Sequence, residues 1–173
     1  MKKIFMGFVT FVIICFAIWF QINFLNSIPL AGVNANFGIV LVAGLGLICG
    51  KFVGGLSGGV YGLLLDIVLG RSVGIYLGLY ALVGILSGFL NKGFSKGNKV
   101  SMIMIVSIAT AVFEAILYLL NIMLNRYSLD FGVLINVLVL ESAYNILLTI
   151  IFFNAIAFLG DILNRCKNSF YLL

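Results

Sequence analysis

The stretch GGLSGGVYGLLLDIVLG, residues 54–70, carries a single charged residue, Asp66, and sets glycine at 54, 58 and 62. Residues four apart lie on one face of a helix, so the glycines form a stripe that Asp66 continues one step further. Apolar residues occupy most other positions without the alternation of a half-buried strand. A helix apolar all round has no face for water. It belongs in a large core or in lipid.

Working outward, the rest of the chain favours lipid. Of its 173 residues 64% are hydrophobic and 9% charged, and the mean hydropathy is +1.28. Soluble domains hold about 25% charged residues, because something must face water. The runs Ile4–Phe20 and Met102–Phe113 do not alternate, which excludes barrel strands. Cys15, Cys49 and Cys166 are too few and too scattered for a disulfide framework or a zinc site, and they read as reduced thiols. The chain has no histidine, the commonest metal ligand and general base. Lys and Arg are spread among loops rather than gathered in a stripe, which speaks for membrane topology and against nucleic acid.

Six apolar segments are predicted as transmembrane helices, at roughly 4–25, 35–50, 52–70, 74–90, 101–124 and 132–160. The fold class is therefore an all-α membrane bundle of one domain. The second and fourth segments are short, which leaves tilted, broken or partly inserted helices as options. Lys2 and Lys3 precede an apolar core as in a signal sequence, but bulky Trp19, Phe20 and Gln21 follow it, so an uncleaved first span is expected. With both ends in the cytoplasm, the inner side holds Lys2, Lys3, Lys51, Lys92, Lys96, Lys99, Arg165 and Lys167, and the outer side only Arg71 and Arg126. That distribution obeys the positive-inside rule, and the inverted topology would break it.

Glycine spacing runs backwards through Gly46 and Gly50 and recurs as Gly74 with Gly78 and Gly84 with Gly88. Small residues on one face let two backbones approach where lipid supplies no hydrophobic force. The second to fourth spans are thus expected to pack tightly, with Gly54, Gly58 and Gly62 serving internal packing or a subunit interface. Asp66 has two readings as well. It acts as a structural lock, pairing with Arg71 or accepting from the start of the fourth helix, or it contacts a partner.

Two further acids lie within spans. Ser107, Thr110, Glu114, Tyr118, Asn121 and Asn125 share one face of the fifth span, and Glu141, Asn145 and Thr149 share one face of the sixth. Glu114 and Glu141 both fall near mid-membrane. If the helices are neighbours, the acids meet at one level, and two carboxylates close together in low dielectric cannot both ionise. The pair then serves as a polar clasp between helices, the favoured reading, or as a proton or cation site. No nucleophile with a base, no phosphate loop and no metal motif can be assembled, so neither an enzyme nor a cofactor is expected.

Between Phe37 and Leu90 the sequence resembles the rod shape-determining protein MreD family. Gly62, Leu63, Asp66, Gly70, Gly74, Tyr80 and Gly84 carry the resemblance: a glycine-rich span ending G-L-x-x-D, a short turn, then G-x-x-L-x-x-Y-x-x-V-G. The chain departs from the family before the second span, where Asn34 and Asn36 replace a Pro-Asp-like pair. The resemblance implies a non-enzymatic scaffold of the bacterial cell-elongation complex in the cytoplasmic membrane. It also implies MreC as direct partner, and MreB and the wall synthases through the complex. The implied fold is similar to the substrate-binding subunits of energy-coupling-factor transporters, which supplies the rival reading of a vitamin-binding subunit. A homo-oligomer is compatible with either.

Overall fold

The computed structural model describes residues 2–29, 32–70, 74–90, 98–124 and 131–168. These residues form an all-helical bundle: α1 (Lys2–Asn23), α2 (Phe37–Cys49), α3 (Lys51–Leu69), α4 (Ile75–Phe89), α5 (Lys99–Met123) and α6 (Phe131–Asn168), with a 3-10 turn at Leu25–Ser27. Four segments are long and apolar enough to cross a membrane: Gly7–Ser27, Lys51–Leu69, Lys99–Met123 and Gly132–Gly160. The chain is a multi-pass membrane protein. Its lipid-facing surface is apolar, with Phe8, Phe16, Trp19, Phe52, Ile67, Ile151 and Phe158 all largely exposed.

The two short segments are continuous helices of 13 and 15 residues. At about 1.5 Å per residue they reach about 20 and 22 Å, well under the roughly 30 Å of a bilayer's hydrocarbon core. Every residue of α2 from Phe37 to Cys49 is buried, and the helix touches α1, α3, α4, α5 and α6. Glycine makes that central position possible. A methyl group at Gly44 would strike Ile156 and Met102 at 2.7 Å, and one at Gly46 would strike the Gly84 carbonyl at 2.6 Å.

The stripe that begins at Gly54 lies against α4. A Cβ at Gly58 would collide with the Tyr80 carbonyl oxygen, one at Gly62 with the Tyr76 carbonyl, and one at Gly84 with the Gly54 carbonyl. Backbone therefore rests on backbone along the whole α3–α4 hairpin, and α4 covers the stripe. At the far end Gly88 packs on the backbone of Lys51. Gly78 departs from the pattern: it is exposed, a methyl group added there would meet nothing within 4 Å, and it faces away from α3. Gly74 likewise leaves the stripe and precedes the helix with φ +112°. A single residue, Gly50 at φ +92°, joins α2 to α3. Only glycine adopts such a conformation without strain.

The bundle has two chemically different ends. One gathers the end of α1, the starts of α2 and α4 and the end of α3. Lys51 and Lys99 mark the other, with their ammonium groups 4.9 Å from the Phe89 ring and 5.5 Å from the Phe153 ring.

Candidate functional site

Both short helices begin beside buried polar side chains, and those side chains close them. Asp66, fully buried near the end of α3, accepts hydrogen bonds from the N–H groups of Gly74 at 2.8 Å, Tyr76 at 3.2 Å and Leu77 at 3.2 Å. The first N–H groups of a helix have no partner within it, and its N-terminus favours negative charge. One carboxylate from the preceding helix answers both needs. The arrangement is a lock inside the α3–α4 hairpin. Arg71, the other predicted partner of Asp66, lies outside the described residues.

The start of α2 is closed from further away. Asn145 of α6 accepts from the Asn36 N–H at 2.8 Å, and Gln21 of α1 accepts from the Phe37 N–H at 2.8 Å. Gln21 also donates to the Ala35 carbonyl at 2.7 Å. The Asn36 side chain caps its own helix through the Ile39 N–H at 3.3 Å and accepts from the Tyr80 hydroxyl at 2.6 Å. Non-helical backbone at membrane depth persists only where protein satisfies it. Residues 35–37 meet that condition through two other helices, α1 and α6.

Directly beside this lead-in, α5 and α6 bring Glu114 and Glu141 within hydrogen-bonding reach of each other. The Asn36 and Asn145 side chains also reach Glu141. Below them Asn145 donates to Thr110 at 2.9 Å, and Thr149 donates to the Asn145 carbonyl at 2.7 Å. Glu141 is 5% exposed, and its Oε1 has no hydrogen-bond partner. A carboxyl–carboxyl contact requires a proton between the oxygens, so the pair shares at least one.

Aromatic rings join the two sites. Tyr80 lies 4.8 Å from the Tyr61 ring and 4.8 Å from Phe113, linking α3, α4 and α5. The Tyr61 ring fills the space that a side chain at Gly38 would occupy, and its hydroxyl is buried without a partner.

Of the sequence candidates, the structure brings Gly54, Gly58 and Gly62 together with α4, and Asp66 with Gly74. It gathers Glu114, Asn145, Tyr80 and Asn36 around Glu141. Tyr118 is half-buried one turn beyond Glu114. Ser107 and Asn121, predicted on the same stripe, instead bond back to the Ile103 and Leu117 carbonyls of their own helix. Asn125 lies outside the described residues. Sequence reading missed Gln21, and saw in Asn36 only a departure from a family pattern. An asparagine just before an apolar helix is an N-cap signal that could have found the second; nothing local marks the first. Among the described residues no three His, Cys, Asp or Glu side chains could together hold a metal. No known protein family, no curated protein and no solved structure matches the chain.

Proposed function

We propose that this chain is a six-span, non-enzymatic scaffold of a bacterial cell-elongation complex in the cytoplasmic membrane, binding an MreC-like partner and, through it, MreB and the wall synthases. The lysine-marked end faces the cytoplasm together with both termini, as the positive-inside rule requires. The observation that carries the reading is the MreD-like pattern over Gly62, Asp66, Gly70, Gly74, Tyr80 and Gly84. Five of these positions have definite tasks in one hairpin. Gly62 and Gly84 admit the facing backbone, Gly74 donates to Asp66, and Gly70 ends α3 in a left-handed turn.

Such residues make a rigid bundle rather than a reaction centre. Because α4 covers the glycine stripe and Asp66 is used internally, the partner docks on a lipid-facing surface. The glycines and Asp66 support binding by holding that surface in shape.

Deleting the gene tests the proposal. Loss of rod outline, restored by the wild-type gene, and recovery of MreC with the detergent-solubilised protein are expected. Unchanged cell outline together with absence of MreC would contradict it. One observation favours a second reading, a vitamin-binding transporter subunit: polar side chains from α1, α4, α5 and α6 converge at the start of α2. A vitamin requirement on deletion, and a vitamin-dependent thermal shift, would select it.

A further inference from the structure

We propose that Glu114 and Glu141, with Asn36, Asn145 and Tyr80 around them, form a site for one small monovalent cation of sodium's kind, which competes there with a proton. The proposal rests on the multi-pass fold and is independent of the scaffold reading. It begins from charge. None of the ten Lys and Arg residues lies in the interior of a predicted span, and the third buried acid, Asp66, is taken up by the amides of α4. Among the described residues the pair is therefore left with neutral neighbours.

Two carboxyls in contact need one shared proton, and a pair holding a single proton still bears one negative charge. In a medium of low dielectric that charge calls for a second positive equivalent. Either another proton or a small cation supplies it.

Geometry favours a site that accepts the cation. A simple clasp accounts for the oxygens that Glu114 and Glu141 turn toward each other. It does not account for Glu141 Oε1, which is buried and has no partner. That oxygen belongs to a side chain on which groups from separate elements converge: Glu114 from α5, Asn145 from α6 and Asn36 from the lead-in to α2. The available ligand atoms are carboxylate, amide and phenol oxygens. Hard oxygen donors suit alkali cations, and the lack of cysteine and histidine here excludes a soft-metal preference.

The titratable neighbours are few. Tyr80 faces Glu141 from α4, with Tyr61 of α3 and Tyr76 of α4 behind it. From α1 and the α2 lead-in come Gln21 and Asn36, which do not titrate. The exchange therefore belongs to the acid pair: the second proton leaves to solvent as the cation enters, the shared proton stays between the carboxyls, and the site is neutral before and after.

Dicyclohexylcarbodiimide, which reacts with protonated carboxyls buried in lipid, reads the site in the intact protein in lipid nanodiscs. Peptide mass spectrometry should find the label on Glu114 or Glu141 at mildly acidic pH. At neutral to alkaline pH, sodium chloride should suppress the labelling and choline chloride at equal concentration should not. Sodium should also raise the melting temperature of the wild-type protein and leave that of Glu141→Gln unmoved; if that variant does not fold, Glu114→Gln serves. Labelling indifferent to lithium, sodium and potassium would reduce the pair to a proton-sharing clasp and overturn the proposal. So would the absence of label from both acids.

Discussion

The two short helices start in opposite ways. α4 is closed by one acid only eight to eleven residues earlier in the chain. The start of α2 is assembled from Gln21, sixteen residues before Phe37, and Asn145, 109 residues after Asn36. The first closure is complete once a single hairpin forms. The second exists only when α1, α2 and α6 have met. A helix whose start is buried must have its first amides satisfied by protein, and the two helices divide that task between local and long-range contacts.

That contrast can be broken from either side. The largest effect is expected from Gly58→Leu, which drives a side chain into the Tyr80 backbone and forces α4 away from α3. It should cost about 3 kcal/mol or more, read as a collapse of thermal stability and loss of monodisperse protein on size exclusion. Asp66→Ala comes next, leaving the three N–H groups of Gly74, Tyr76 and Leu77 without an acceptor. A loss of about 2–3 kcal/mol is expected in denaturant or thermal unfolding, with Asp66→Asn recovering part because its amide oxygen still accepts.

Asn145→Leu attacks the other start. It leaves the Asn36 N–H without an acceptor and removes the donor to the Thr110 hydroxyl, which keeps its own bond to the Val106 carbonyl, for an expected loss of about 1–2 kcal/mol by the same measurement. The smallest effect is at Gly78, which has no neighbour to strike. Gly78→Ala should leave the fold intact and raise stability by about 0.5 kcal/mol through helix propensity alone. A Gly78 variant as damaging as a Gly58 variant would mean that the stripe has been placed on the wrong face.

The same division explains what could be read from the sequence. The helices were legible because long apolar runs leave a chain no choice of solvent. The α3–α4 hairpin was legible because its parts are local: glycine at every fourth position, then an acid, then a turn. Even there, spacing misled at Gly74 and Gly78, since a four-residue period says which residues share a face and not whether that face is covered. Glu114 and Glu141 could be placed at one depth by counting from helix ends. The contact of Glu141 with Asn36 could not, because it depends on α2 lying at the centre of the bundle, and nothing in an apolar 13-residue helix says which neighbours will surround it. Gln21 was silent for the same reason. A glutamine at the end of a span looks like a residue meeting water until residues 35–37 fold back on it.

Amide hydrogen exchange in lipid nanodiscs tests most directly whether side chains of other helices close these two helix starts. The N–H groups of Asn36, Phe37, Gly74 and Tyr76 should exchange as slowly as helix interiors. Asp66→Ala should release the last two alone, and Asn145→Leu should release Asn36 alone. Fast exchange of all four in the wild-type protein, at the rate of an open loop, would contradict the account.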